Sequence, residues 1–470
     1  MKIVIIGSGY VGLTTGVCLA YLGNRVTLLD PDTRKIEQLQ KGIVPFYEPG
    51  LTEILHKASN NLEYIDGWDD FDTMSDIVMI AVGTPPKSTG EADLSIVEEV
   101  AGSLGARITE AANPIIVNKS TVPIGTAAWV KNIVEQNLRR RGINKAVHVA
   151  SNPEFLREGE ALADTFYPDR IVIGVSSQFA GEVLCALYQP LAEQAFELPY
   201  RVSRPAGSKS PPTIMVTTPT NSELIKYVAN SFLAVKISFI NEFANFTERM
   251  GGDILEVAKG IGLDPRIGPR FLNAGIGWGG SCFGKDTGSV IFTGEQYDCE
   301  MQLLRAAIDV NYRQRELVIK KLKTHLRALR GRTIGMLGLA FKPNTDDLRD
   351  APALDIIRLL NQEGAHVKAY DPVAMNACRT QYPSLQTEYC ATAEKLFEGC
   401  HAVVLVTEWR EFLNLPYPEL GKRMAVQLII DGRNVLAGHR LHESGFHYCG
   451  VGRRDERWEK GYLSPVELVL

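Results

Sequence analysis

The sequence predicts an α/β protein: two doubly wound units joined by a long central helix and a helical middle domain. Three observations carry this. Short β-branched runs alternate with longer helical stretches at both ends of the chain, a Gly-x-Gly-x-x-Gly opens the first helix, and a proline-free middle stretch has apolar residues spaced by three and four. Alternation of the first kind is the mark of βαβ units and a parallel sheet covered on both faces.

In order along the chain, the first unit reads as strands at KIVIIG, RVTLLD, DIVMIAVG, PIIVNKS, HVASN and RIVIGV, ending near Pro199. Residues 201–220, rich in Pro, Ser and Thr, read as a connection between domains. From Asn221 to about Leu326 the pattern is helical, and its first stretch, NSELIKYVANSFLAVKISFINEFANFTERMG, predicts one helix of roughly 30 residues, about 45 Å long. Its apolar character on more than one side suits a helix packed against both outer units or a second subunit. From about Gly331 the alternation returns at RTIGMLGLAF, HVKAYDP, AVVLVTEW and LIIDGRN. The predicted domains are 1–220, 221–326 and 327–470.

With 470 residues, 45% apolar and 22% charged, the chain can bury two or three cores. A net charge of −5 makes no electrostatic case for nucleic acid or an anionic membrane, so any anion site must be local. The eight cysteines have no CxxC pair or regular spacing, which argues against a disulfide framework or a metal site and for a reducing, cytoplasmic setting. No apolar run reaches the length of a signal h-region at the start or of a membrane span further on.

Gly7, Gly9 and Gly12 follow the first strand directly and open the helix VGLTTGVCLAYLG. Glycine suits a tight turn where backbone approaches a pyrophosphate at a helix N-terminus. Asp30 ends the next strand, where a carboxylate accepts hydrogen bonds from ribose hydroxyls and repels a 2′-phosphate. The cofactor expected of this Rossmann-like unit is therefore NAD. The loops 81–86 and 119–125 lie at strand ends facing the same crevice, so Thr84, Ser120 and Thr121 are candidate ligand contacts or, alternatively, plain strand-end turn chemistry.

Lys226 and Asn230 stand four apart on the long helix, a spacing that suits a cation and an amide holding a developing alkoxide but is also common on any helix surface. The segment GIGWGGSCFGKD is more specific. Its glycines at 275, 277, 279 and 280 let backbone close around a ligand, and Cys282 and Asp286 face one way if a helix starts near Ser281. A thiol beside a carboxylate is a nucleophile with a proton acceptor, whereas Cys18, on an apolar helix, is the ordinary buried case.

These residues resemble the UDP-glucose/GDP-mannose dehydrogenase family over nearly the whole length. The matching stretches are GSGYVG, PFYEPGL, GTP, KSTVPIGT, SNPEFLREG, ELIKYVANSFLAVKISFINE, DPRIGPRFLNAGIGWGGSCFGKD, GLAFKPNTDDLRDAP, YDP and IDGRNVL. The resemblance implies an NAD-binding first domain, a dimerising middle and a UDP-sugar-binding last domain, in a homodimer or larger homo-oligomer serving UDP-glucuronate and polysaccharide biosynthesis. It implies that a sugar C6 hydroxyl is oxidised to an aldehyde, captured by the Cys282 thiolate as a thiohemiacetal, oxidised again to a thioester and hydrolysed. Lys226 and Asn230 would stabilise the oxyanion, Asp286 and Thr121 would handle water, and Glu154 would act as a base. Near NAD it places Tyr10, Val11, Lys35, Glu158, Lys285 and Arg349. Near the sugar nucleotide it places Glu154, Phe155, Leu156, Lys226, Asn230, Arg266, Phe271, Asn273, Gly279, Phe341, Lys342 and Arg433, with Arg266 reaching across a dimer interface. For the arginines a surface ion pair is the alternative. PFYEPGL and DPRIGPRFLNAGIGWGG favour UDP-glucose over UDP-N-acetylhexosamines or GDP-mannose. A two-electron β-hydroxyacid dehydrogenase would not need Cys282, and a dinucleotide-sensing scaffold would leave Lys226, Cys282 and Asp286 unexplained.

Overall fold

The computed structural model describes residues 1–199, 202, 204–205 and 211–453, which form two compact units. One comprises Met1–Ala229 with Gly288–Asp298, the other Asn230–Thr287 with Cys299 onward.

The first unit is built on an eight-stranded sheet of β1 (Lys2–Ile6), β2 (Arg25–Leu29), β3 (Leu62–Ile65), β4 (Ile77–Ile80), β5 (Ile115–Asn118), β6 (His148–Ser151), β7 (Arg170–Gly174) and β8 (Thr213–Thr217). Its order is β3-β2-β1-β4-β5-β6-β7-β8. Alternation along β1 divides the core in two: Ile3 and Ile5 pack with Leu13, Val17 and Leu28, while Val4 and Ile6 pack with Val78, Val97 and Val130 on the other face. β7 meets β6 antiparallel, at Ser151 and Gly174. The expected wholly parallel sheet thus reverses at its end, because the link from β6 to β7 carries only the short helix Ala161–Phe166 and makes no full crossover.

The connection expected at 201–220 is in part structured. Thr213–Thr217 is the outer strand β8, in parallel register with β7, and the long helix already begins at Pro219. Tyr200, Arg201, Ser203 and 206–210 lie outside the described residues. Thr, Ile, Met and Val in TIMVT suit a half-covered edge strand, a signal masked by the flanking prolines. The central helix then runs unbroken for 31 residues, Pro219–Arg249.

The second unit carries a six-stranded parallel sheet: β9 (Thr333–Leu337), β10 (His366–Tyr370), β11 (Glu388–Tyr389), β12 (Ala402–Leu405), β13 (Leu428–Asp431) and β14 (His447–Gly450), in the order β11-β10-β9-β12-β13-β14. Ile240 and Ala244 of the central helix join Val318 and Leu322 of the helix Gln302–Leu326 in the core over one face, with Ile334 and Met336 of β9.

Candidate active site

In the first unit the dinucleotide turn has the geometry its glycines require. Gly7 has φ +98°, and a side chain on Gly12 would place its first carbon 1.9 Å from the Gly7 carbonyl oxygen. An atom added at Gly9, which precedes the helix Tyr10–Tyr21, would meet nothing within 4 Å, so its outward face is open to a pyrophosphate. Val11 is half-buried one residue into that helix. Asp30 is buried; it accepts from the Ser8 amide and hydroxyl, both at 2.8 Å, from the Asp32 amide at 3.1 Å and from Lys35 Nζ at 2.8 Å. Burial opposes its ionisation, but the Lys35 ammonium and these donors outweigh that and hold its carboxyl below the usual range. The turn, the helix start and the acid therefore fit NAD.

The loops after β4 and β5 face this turn's end of the sheet. Thr84 donates to the Thr121 carbonyl at 2.9 Å and Ser120 to the Val82 carbonyl at 2.6 Å, so these two hydroxyls serve the turns themselves. Glu223 of the central helix accepts from the Gly125 and Ala127 amides at 2.6 and 2.9 Å, tying the Thr121 loop to that helix. One turn on, Lys226 is buried and donates to Glu154 Oε1 at 3.1 Å, with Glu154 Oε2 accepting from the Leu156 amide at 2.7 Å. Lys226 Nζ also lies 5.2 Å from the centre of the Phe155 ring, which Arg170 covers at 3.9 Å.

Sequence reasoning named no role for Lys119, yet it is buried here and donates to Asn152 Oδ1 at 3.0 Å. Burial pushes its ammonium down to about 8, against a partial lift from the Glu154 charge, and Lys226 presses it further down. A lysine directly after a strand at the ligand-binding end of a sheet was the available signal. Glu158 is half-buried on the same loop as Glu154.

In the second unit, Cys282 is exposed and stands immediately before the helix Phe283–Gln296, its carbonyl accepting from the Asp286 amide at 2.8 Å. Its sulfur thus stands at the positive end of a helix. Asp286 is 1% exposed; it accepts from Asn230 Nδ2 at 2.6 Å and from Lys285 Nζ at 2.6 Å. The glycine-rich loop before Cys282 hangs on four buried polar side chains. Asn241 accepts from the Gly275 amide, Gln314 donates to the Gly275 carbonyl, Asn311 bonds both the amide and carbonyl of Trp278, and Arg315 shares that carbonyl. Three of them lie in NYRQR of one amphipathic helix, where charge hides burial from a sequence reader.

The loop glycines are needed where they stand: a side chain on Gly279 would fall 2.2 Å from the Asp350 carbonyl oxygen, and one on Gly280, at φ +87°, 2.7 Å from the Phe341 ring. Phe271, a bulky residue, holds φ +65°, a strained conformation next to exposed Asn273. Arg433 donates to the carbonyls of Val406 at 2.7 Å and Gly277 at 3.0 Å, and Lys342 Nζ lies 5.4 Å from the centre of the Phe341 ring. The other two predicted arginines are exposed, Arg266 with its guanidinium 2.5 Å from Asp264 and Arg349 2.7 Å from Asp347.

Comparison with known proteins agrees with both units. Residues 1–192 match the NAD binding domain of the UDP-glucose/GDP-mannose dehydrogenase family, 220–313 its central domain and 335–438 its UDP binding domain. A UDP-glucose 6-dehydrogenase of Bacillus subtilis (strain 168) is 42% identical over 454 residues, covering 96% of this chain and 93% of that protein. One from Rhizobium meliloti (strain 1021) is 42% identical over 466 residues, covering 97% and 100%. The structure of a UDP-glucose dehydrogenase from Pyrobaculum islandicum superposes with a TM-score of 0.84 at 36% identity, covering 96% of this chain and 98% of that one. The chain belongs to the UDP-glucose/GDP-mannose dehydrogenase family of NAD-dependent dehydrogenases.

Proposed function

We propose that the chain oxidises UDP-glucose to UDP-glucuronate in two successive two-electron steps through a covalent adduct on Cys282. In sum, a primary alcohol, two NAD and one water give a carboxylate, two NADH and three protons. NAD, when bound at the turn of Gly7, Gly9 and Gly12, supplies the hydride acceptor for each oxidation. Lys226 and Asn230, four residues apart on one helix, stabilise the oxygen at C6 as negative charge grows on it. The Cys282 thiolate adds to the aldehyde carbon, and the resulting thiohemiacetal carbon carries the second hydride to be lost. Attack of water on the thioester expels the Cys282 thiolate, with Asp286, Thr121 and Glu154 orienting the water and taking its proton.

The observation that carries this reading is Cys282 at a helix start, one turn from a buried carboxylate held by an amide and an ammonium. A two-electron alcohol dehydrogenase has no use for that set. Roles for Phe155, Leu156, Phe271, Asn273, Gly279, Phe341, Lys342, Arg266 and Arg433 at the sugar nucleotide, and for Tyr10, Lys35, Glu158, Lys285 and Arg349 at NAD, belong to the same proposal. The domain division at 220 and 326 does too. UDP-glucose is preferred to N-acetylhexosamine or GDP-mannose substrates because the relatives at about 40% identity are UDP-glucose 6-dehydrogenases.

We also propose a homodimer or larger homo-oligomer working in the cytoplasm. Phe232, Phe239, Phe243 and Phe246 are exposed at helical spacing along the central helix, a face suited to a second copy. None of the eight cysteines is in a disulfide, and no helix among the described residues is long and apolar enough to cross a membrane.

The test is stoichiometry. Wild type yields two NADH per UDP-glucose. Cys282→Ala loses about 10³-fold or more in acid formation, the scale of removing a covalent nucleophile, with NAD affinity retained. A Cys282→Ala enzyme forming UDP-glucuronate at the wild-type rate refutes the covalent route, and one NADH with a released aldehyde supports the two-electron alternative.

A further inference from the structure

The motif PFYEPGL has no part in the reaction as proposed, yet its acid is one of the most heavily bonded groups in the first unit. Glu48 is 7% exposed. Its Oε2 accepts from the Tyr10 hydroxyl and from the Gly159 amide at 2.6 Å, and its Oε1 from the Ala161 amide at 2.8 Å and the Leu162 amide at 3.5 Å. The Gly159 amide also donates to the Tyr10 oxygen at 2.7 Å, and the Tyr10 ring packs on Phe46, two residues before the acid, with centroids 4.6 Å apart.

The groups gathered here come from two functional elements more than a hundred residues apart. Tyr10 is the first residue of the helix that the dinucleotide turn opens. Gly159 ends the loop that carries Glu154, Phe155, Leu156 and Glu158, and Ala161 and Leu162 open the short helix Ala161–Phe166 that follows it. A buried carboxylate is costly unless donors surround it, and here every donor is a peptide N–H at the end of that loop or the start of the helix after it, or the first side chain of the dinucleotide helix. Burial raises the Glu48 carboxyl above the usual range, against the pull of the Tyr10 hydroxyl and the three amides.

We propose that Glu48 is a positioning residue for catalysis: it locks the loop bearing Glu154, Phe155 and Leu156 to the start of the dinucleotide helix, so that sugar nucleotide and NAD are held in register. This rests on the reading, given above, that the loop takes the sugar nucleotide. Glu48 touches neither ligand in this account. Its loss acts on geometry, and displacements on the ångström scale cost up to about 100-fold in rate.

The experiment compares wild type, Glu48→Gln and Tyr10→Phe in three measurements: steady-state kinetics with UDP-glucose, NAD affinity without sugar, and amide hydrogen exchange over residues 153–162. Gln keeps the shape but turns an amide NH₂ toward donors. Expected for Glu48→Gln are a kcat about 10- to 100-fold lower, a KM for UDP-glucose several-fold higher, and an NAD dissociation constant within about twofold of wild type. Exchange at Gly159, Ala161 and Leu162 should rise at least about tenfold, while residues 130–138 stay protected. Tyr10→Phe, which removes one donor and leaves the amides bonded, should shift the same quantities less. Wild-type exchange and kinetics in Glu48→Gln overturn the proposal. So does an equal loss in NAD affinity and sugar KM, the mark of a general scaffold residue. If wild type does not oxidise UDP-glucose, the reading of function fails, and the exchange rates still decide whether Glu48 holds the loop.

Discussion

In the first sheet β1 is followed by Gly7 and β2 by Asp30; in the second β9 is followed by Gly338 and β10 by Asp371, and the strand registers match these positions one for one. Both glycines have φ near +98° and donate to the last carbonyl of the neighbouring strand, at 2.7 and 2.8 Å. In both, the next amide donates to the acid at 2.8 Å. There the likeness ends. After Gly7 the helix begins at Tyr10, whereas after Gly338 it waits until Pro352. Asp30 shares its carboxylate with Ser8, Asp32 and the half-exposed Lys35. Asp371 is wholly buried and takes four amides, from Leu339, Ala340, Val373 and Ala374, and the Trp409 indole. One strand order thus makes two different ends: a helix N-terminus beside an acid shared with a lysine, which suits a dinucleotide, and an acid consumed in holding its own loops.

Substitution at the paired positions sharpens this. Gly12→Ala forces a carbon onto the Gly7 carbonyl and should weaken NAD binding by about 100-fold or more, because the turn can no longer present its amides. Gly338→Ala should leave NAD affinity alone and lower the urea midpoint instead, its new carbon meeting Thr407 at 2.4 Å. Titration calorimetry with NAD and urea melts of both variants decide the matter; equal loss of NAD affinity in the two would break the contrast.

Next in size is the acid pair. Asp30→Asn should weaken NAD about tenfold through the ribose and Lys35 contacts, with a smaller loss of stability than at Asp371. Asp371→Asn should cost about 3 kcal/mol of stability, since an amide nitrogen would face donors that now share a carboxylate, with NAD affinity unchanged. A stable Asp371→Asn protein would show that the second acid is not spent as described.

The smallest effect concerns Lys119, which follows β5, where the matching place after β13 holds Gly432. Its ammonium is pushed from 10.5 to about 8 in the folded chain. Between those values the unfolded chain binds a proton that the folded chain does not, so this group makes stability rise with pH over that window, and its full cost is felt below about 8. Lys119→Met should flatten the rise in urea midpoint between pH 8 and 10; an unchanged slope would place its origin elsewhere.

Much of this was legible beforehand. The ten strands read from the sequence are inner strands of the two sheets, most of them with Val, Ile or Leu buried on both faces. The four that escaped, β3, β8, β11 and β14, include the outermost strands of both sheets, with one face or one edge uncovered and hence a mixed composition. The glycine turn, Asp30, Lys226, Asn230, Cys282 and Asp286 could be named because their chemistry depends on neighbours a few residues away.

By itself, then, the sequence determined what short-range rules reach: element type from periodicity, a dinucleotide turn from glycine spacing, a nucleophile from a glycine-rich loop at a helix start. Tertiary structure alone decided partnerships across long stretches of chain. Glu154 meets Lys226 across 72 residues, Glu48 meets Gly159 across 111, and Asp30 and Asp371 have different uses although each follows the second strand of its sheet. The reason is physical: a buried polar group must find partners wherever the fold puts them, and no local pattern records which distant donor arrives.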